Sequence, residues 1–291
     1  MDLPEKLLSI PHRRNVSFSQ LTTLGLGGTC RWLFEPASEQ DVQLFVKTCS
    51  ISGLNYKILG GGSNLLVLSD IEIPVMRLGM PRELRLTDNG VYANACYGHM
   101  ALVHDVSDMG LSGVEWGCGI PGSFGGAIRM NAGSNGGEWG HVLNRVRFLT
   151  PDGEIVEKKV GADNFKYRSG FLADGCVALG ASFDLEKGDT EKIKQTMEKF
   201  QTKRKQSQPV GRSAGCVFRN PPGKSAGKLI ESAGLKGLRI GSAEVSPVHA
   251  NFFINLGDAT PEDYWGLIQL VRSRVSEIHS CDLELEVEVW H

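Results

Sequence analysis

The sequence is short of every feature that would mark a membrane, a nucleic acid or a metal ion as its partner. No stretch approaches the ~20 consecutive apolar residues of a helical span, and the opening residues MDLPEKLLSIPHRR hold no apolar signal core. Neither sign of charge dominates: 31 Lys and Arg stand against 33 Asp and Glu, a formal net charge of -2, so no chain-wide basic field exists for nucleic acid or anionic lipid. The cysteines (Cys30, Cys49, Cys96, Cys118, Cys176, Cys216 and Cys281) are odd in number, scattered and without a C-x-x-C pair, which excludes a disulfide framework or zinc site and reads as free thiols. Seven histidines show no H-E-x-x-H and no paired ligand spacing, so no metal is expected. What these absences leave is a soluble, cytoplasmic protein of 291 residues, 41% hydrophobic, with length for two or three domains.

Glycine, by contrast, is concentrated. Leu111 to Gly140, LSGVEWGCGIPGSFGGAIRMNAGSNGGEWG, carries glycine at 113, 117, 119, 122, 125, 126, 133, 136, 137 and 140, a spacing that predicts no helix there. Glycine opens positive φ and removes the Cβ that keeps backbone N–H groups from a ligand, at an entropic cost. Trp116, Ile120, Pro121, Phe124, Ile128, Met130 and Trp139 supply apolar anchorage that a free linker has no use for. The stretch therefore reads as a backbone cradle for an extended anion. A second cradle is predicted at Tyr56 to Asp70, YKILGGGSNLLVLSD, where two apolar runs of strand length flank three glycines, Ser63 and Asn64.

Elsewhere the pattern is regular. Ser38 caps a helix burying Val42, Phe45, Val46 and Cys49, and Gly53 ends it. Strands are expected at Ile73 to Leu78 and, around an Asp88-Asn89-Gly90 turn, Glu83 to Tyr97, with a helix over about Met100 to Met109. Strands at Val142 to Leu149, Glu154 to Val160 and Val177 to Leu185 follow, then a helix from Asp189 to Ser207. Short strands near Arg239 to Val245 and Asn251 to Leu256 precede a helix opened by Thr260, Pro261 and Asp263 and running to about Ile278. The end, DLELEVEVWH, alternates as a strand, with Glu284, Glu286 and Glu288 on its polar face.

Two nucleotide signatures fail on context. Gly117 to Gly122 fits G-x-G-x-x-G, but no long periodic helix can follow it; Gly223-Lys224-Ser225 ends like a P-loop whose first glycine would fall at Phe218.

Taken together, Leu59 to Leu66 (LGGGSNLL), Gly119-Ile120-Pro121-Gly122 through Asn131-Ala132-Gly133, Tyr167-Arg168-Ser169, Ser213 to Pro221 (SAGCVFRNP) and Leu283 to Val287 (LELEV) resemble the UDP-N-acetylenolpyruvoylglucosamine reductase (MurB) family, in its shorter branch. The likeness runs over nearly the whole chain. It implies an α+β protein: a two-subdomain FAD-binding fold of the vanillyl-alcohol-oxidase (PCMH) type, residues 1–78 and 79–187, then a C-terminal α+β substrate domain, 188–291, closing over a UDP-sugar. Noncovalent FAD, NADPH as hydride donor, a monomer and a role in peptidoglycan precursor synthesis come with it.

The resemblance assigns FAD contacts to Leu59, Gly60, Gly61, Gly62, Ser63, Asn64, Leu65, Gly119, Ile120, Pro121, Gly122, Ser123, Gly125, Gly126, Asn131, Ala132 and Gly133. Arg168 matches an arginine that stabilises negative charge on the pyruvyl group, Glu286 a glutamate that bonds the developing enolate acid, and Cys216 the position where most relatives carry a proton-donating serine. Glu288 remains the alternative to Glu286. Tyr167, Lys205 and Asn220 match positions near the substrate. One departure stands out: Arg168-Ser169-Gly170-Phe171 is one residue shorter before the aromatic than in many relatives, which leaves the backbone path there open. Two other readings also stay open, another flavin oxidoreductase of the same fold and an inactive nucleotide-sugar-binding protein.

Overall fold

Period-two alternation at Val91 and Ala93, at Val146 and Phe148, and at Ala181 and Phe183 builds one apolar face on a five-stranded antiparallel sheet. In the computed structural model, which describes residues 3–291, its spatial order is Ile155–Lys159, Leu143–Leu149, Val177–Asp184, Gly90–Asn94, Leu84–Thr87. Contacts divide the chain into two units: the N-terminal residues through Arg13 with Trp32–Gly61 and Ile73–Lys203, and Arg14–Arg31 with Gly62–Glu72 and Arg204–His291.

Within the first unit, short helix α1 (Glu5–Leu8) and α2 (Glu39–Ile51) cover parallel strand pairs in which Val75 and Met76 lie between Leu33-Phe34 and Lys57-Ile58. Ser38 accepts the Asp41 N–H at 3.1 Å, and Val42, Phe45, Val46 and Cys49 are buried as the sequence predicts. Burial pushes the Cys49 thiol up to about 12. The expected strand Ile73 to Leu78 is regular only over Val75–Met76.

Helix α3 (His99–Asp108) and α4 (Phe124–Met130) lie on the apolar face of the five-stranded sheet. At the centre is Trp139, 0% exposed, with ring centroids 4.7 Å from Phe124, 5.0 Å from Phe183 and 5.4 Å from Trp116. Each edge-on aromatic pair contributes about 0.5–1.5 kcal/mol beyond its buried area. Helix α4 corrects the expectation that Leu111 to Gly140 holds no helix. Ser123 caps it through the Gly126 N–H at 3.2 Å, Asn131 ends it in the left-handed region, and Gly125 is required because a Cβ would lie 2.9 Å from that of Ala95. Close packing thus outweighs the low helix propensity of two glycines. Helix α5 (Thr190–Ser207) buries Ile193 and Met197, with Asp189 Oδ1 accepting the Glu191 N–H at 2.9 Å.

The second unit has its own core of Phe218, Phe253, Tyr264, Leu267, Ile268, Val271 and Val275. A meander of Arg239–Ile240, Ala243–Val245 and Phe253–Asn255 packs with α6 (Ala226–Ser232) and α7 (Pro261–His279). Thr260 and Asp263 form the expected capping box. The sequence pattern does not announce α6, capped by Ser225. The terminal strand is shorter than its alternation implies: only Glu288–Trp290 pairs, parallel to Leu65–Val67, while Leu283 and Val287 are buried and Leu285 makes one bridge to Phe218.

Candidate functional site

The two glycine loops meet in the first unit. Leu59 is buried, and its N–H donates to the Met76 carbonyl at 2.8 Å, so Gly60 and Gly61 leave the end of a sheet strand. A Cβ on Gly60 would stand 2.9 Å from Ser123 Oγ, and one on Gly61 would stand 2.5 Å from Gly122 Cα. No Cβ fits at either position, so Gly61 meets the Gly122 backbone directly and Gly60 lies against the Ser123 hydroxyl. Gly62, Ser63, Asn64 and Leu65 belong to the second unit, where Gly62 has φ 65°. There the Asn64 amide donates to the Glu286 carbonyl at 2.9 Å, and Leu65 is buried opposite Glu288.

The second loop is fixed by the segment before α3. His99 N–H donates to the Gly122 carbonyl at 2.9 Å, Phe124 N–H to Tyr97 at 2.8 Å and Gly125 N–H to Ala95 at 3.0 Å. Gly119 and Gly122 take φ 85° and 106°, closed to other residues without strain. Below the loop the buried His99 ring lies between Trp139 and Ile120. Trp139 Nε1–H, which can only donate, lies 2.9 Å from His99 Nε2, so Nδ1 carries the proton to the Ile120 carbonyl at 3.1 Å. Sequence reasoning missed this anchor; a histidine directly after the helix-opening Gly98 was its one visible signal.

Asn131, Ala132 and Gly133 continue from α4. Ala132 N–H donates to Ala127 at 2.9 Å, and a Cβ on Gly133 would stand 2.6 Å from the Gly137 carbonyl oxygen. Close by, Tyr167 and Arg168 form the tip of a two-residue turn closed by Lys166 N–H to Ser169 O at 2.9 Å and Ser169 N–H to Lys166 O at 3.0 Å. Tyr167 is 47% exposed, and the Arg168 guanidinium lies 4.9 Å from its ring centroid. Arg168 has φ 54°, a left-handed conformation that costs a non-glycine residue about 1–2 kcal/mol. Such strain persists where surrounding structure imposes it, and it clusters at functional sites.

In the second unit three extended segments lie side by side. Cys216 bridges Phe252, Val217 N–H donates to Asn251 O at 2.8 Å, and the Asn251 side chain holds Phe218 at both backbone groups, 3.0 and 2.7 Å. From the other side Glu286 N–H donates to Val217 O at 2.8 Å. Cys216 and Glu286 are thereby brought onto neighbouring segments. Glu288 lies one step on, its carboxylate accepting Trp290 Nε1–H at 2.8 Å. Asn220 is exposed and accepts the Ala226 N–H at 3.0 Å; Lys205 is exposed in the last turn of α5.

Comparison with known proteins bears on both units. Residues 31–158 match the family described as FAD binding domain, and residues 205–290 match UDP-N-acetylenolpyruvoylglucosamine reductase, C-terminal domain. The UDP-N-acetylenolpyruvoylglucosamine reductase of Carboxydothermus hydrogenoformans is 39% identical over 288 residues, covering 98% of this chain and 95% of its own. That of Rubrobacter xylanophilus is 39% identical over 273 residues, 92% and 91% of the two chains. The crystal structure of UDP-N-acetylenolpyruvylglucosamine reductase (MurB) from Thermus caldophilus superposes with a TM-score of 0.82 at 36% identity, covering 97% of this chain and 100% of that one.

Proposed function

Because the chain belongs to the UDP-N-acetylenolpyruvoylglucosamine reductase family, we propose that it reduces UDP-N-acetylglucosamine enolpyruvate to UDP-N-acetylmuramate for peptidoglycan precursor synthesis, with NADPH as reductant and noncovalent FAD as carrier. The observation that carries this is the likeness over more than nine-tenths of the chain to reductases of that name, spanning an FAD-binding region and a reductase C-terminal region. The residues fit the cofactor: no Cβ fits at Gly60 or Gly61 where they meet Ser123 and Gly122, and Gly119 and Gly122 take positive φ, so two turns rich in backbone amides stand together where a diphosphate or flavin edge would be held. Held there, FAD would supply the hydride chemistry that links NADPH to the terminal vinyl carbon.

The chain's own residues then handle charge and the proton. Addition of hydride drives the electron pair of the double bond toward the pyruvyl carboxylate. Arg168 is assigned to hold that carboxylate, with a planar cation that stays protonated. Glu286 is assigned to bond the enolate acid. What supports it over Glu288 is its place beside the Cys216 segment, where its N–H donates to the Val217 carbonyl. Cys216 is assigned to pass its Sγ–H proton to the second vinyl carbon, leaving a thiolate that solvent reprotonates; a thiol is a stronger acid than the serine hydroxyl it replaces. Tyr167, Lys205 and Asn220 are assigned to the substrate. A cytoplasmic monomer without membrane or nucleic-acid partners completes the reading.

The test is a two-step anaerobic titration: NADPH should bleach the bound flavin, and the enolpyruvyl UDP-sugar should restore its colour. Bleaching without recovery would leave a flavin oxidoreductase of other specificity, and a protein that binds the UDP-sugar but no flavin would be an inactive binder.

A further inference from the structure

Helix α4 follows the glycine loop at one end and grips the Arg168 turn at the other. At its C-terminal cap Asn131 is 0% exposed with φ 45°, and both ends of its amide are committed: Oδ1 accepts the Gly140 N–H at 2.8 Å, and Nδ2 donates to the Lys166 carbonyl at 3.2 Å. An N–H can only donate and a carbonyl only accept, so this orientation of the amide is fixed. Lys166 is the residue whose backbone closes the turn around Tyr167 and Arg168. The other flank ends on the same helix. Arg129 accepts the Gly170 N–H on its own carbonyl at 2.8 Å, and its guanidinium donates to the carbonyls of Leu172 at 3.0 Å and Ala173 at 2.9 Å. Gly170 is pressed so close that a Cβ would lie 2.5 Å from the Ile128 carbonyl oxygen.

We propose that Asn131 and Arg129 are positioning residues that act through Arg168, holding its left-handed turn at a fixed offset from the glycine loop, and that the Asn131 side chain is not a cofactor ligand. The inference rests on the catalytic reading of Arg168. The hydrogen-bonded turns of α4 fix the rise from Ser123 at one cap to Asn131 at the other, so the two ends are held at a set distance. Asparagine suits the cap on two counts: it tolerates φ > 0, and its amide pairs a donor with a neighbouring acceptor where aspartate would set a carboxylate oxygen against the Lys166 carbonyl. The Arg129 clamp also fixes the backbone path that the short spacing from Arg168 to Phe171 left open, because it holds the chain that follows the turn at Gly170, Leu172 and Ala173.

The test uses FAD-loaded protein carrying Asn131→Gly, which keeps the backbone conformation and removes both bonds, Arg129→Met, which removes the guanidinium bonds, Arg168→Ala, and each of the first two combined with Arg168→Ala. FAD affinity and flavin reduction by NADPH should stay within about 2-fold of wild type, while flavin reoxidation by the enolpyruvyl substrate should slow by about 10- to 100-fold in Asn131→Gly and less in Arg129→Met, the scale of a small misplacement. In the Arg168→Ala background neither change should cost anything further. Loss of FAD affinity by Asn131→Gly with reoxidation intact would return Asn131 to the cofactor site and overturn the proposal, as would independent, multiplicative losses in the double variants. Should Asn131→Gly fail to fold, Arg129→Met, which leaves the cap intact, decides by the same readouts. Wild-type reoxidation by Arg168→Ala alone would overturn the catalytic reading of Arg168, and this inference with it; the single variant makes that failure distinguishable from the other two.

Discussion

Gly61→Ala is the sharpest probe of the glycine junction. A methyl at this position would lie 2.5 Å from Gly122 Cα, 2.7 Å from its carbonyl carbon and 2.8 Å from Ser123 N, about 0.9 Å inside the 3.4 Å at which ordinary contact begins. Every atom it meets is backbone, so no rotamer can relieve the overlap and the two loops must part. Overpacking of this kind costs about 1–3 kcal/mol. If the free protein relaxes by opening the junction, closing it around FAD has to restore that strain, so affinity should fall by about 5- to 150-fold at about 1.4 kcal/mol per decade. Gly161→Ala is the control, since φ there is -153° and nothing lies within 4 Å of the added Cβ. It should change stability by less than about 0.5 kcal/mol. Flavin fluorescence quenching gives the affinities, and thermal melts of the apoprotein show where the strain resides. Gly61→Ala binding FAD as tightly as wild type, with an unchanged melt, would refute the claim that the loops meet backbone to backbone.

Arg168→Lys should keep flavin reduction by NADPH and slow reoxidation by about 10²–10³-fold, because a point charge cannot reproduce the bidentate fork; equal loss in both half-reactions would make Arg168 structural. Cys216→Ser should remain active and Cys216→Ala should slow reoxidation by about 10²-fold or more, with stopped-flow reoxidation at the wild-type rate in Cys216→Ala removing the thiol from the proton path. Trp139→Phe removes the indole N–H bond to His99 Nε2 and should cost about 0.5–1.5 kcal/mol from that bond in chemical denaturation; His99→Gln in the same background should then cost less than it does in wild type. Burial lowers the His249 pKa, so the unfolded chain takes up a proton before the folded one does, and stability should fall as pH drops below about 6.5; a melting temperature with the same acid dependence in His249→Gln would assign the loss to other groups.

The elements that the sequence announces are those whose stability is local. The Thr260-Pro261-Asp263 start of α7, the Ser38 cap of α2 and the paired strands on either side of Pro151-Asp152-Gly153 lie where pattern and caps put them. Helix α4 was illegible for the opposite reason. Judged alone, FGGAIRM is a poor helix, and it forms because Gly125 fits against Ala95 while Phe124, Ala127 and Ile128 fill the core beneath. The end of the chain errs the other way. Alternation correctly buries Leu283 and Val287, but a ladder needs a partner of equal length, and Leu65–Val67 offers three residues.

A similar asymmetry governs the site. Glycines that line a junction can be read from their density, because few other uses require so many of them close together. Side chains that hold a site in place cannot. Asn131 sits among motif residues and looks like one more ligand; its amide faces Gly140 and Lys166, nine and 35 residues along the chain, and nothing at 131 points to either. His99 looks like a helix residue and supports Ile120 and Gly122. The left-handed φ of Arg168 is the least legible of all, since arginine has no preference for it and nothing in Tyr-Arg-Ser encodes it. That conformation belongs to the turn that Lys166 and Ser169 close, and the groups that hold its two flanks are the carbonyl of Arg129, on Gly170 N–H, and the amide of Asn131, on the Lys166 carbonyl, both at the C-terminal end of the helix that local propensity argued against.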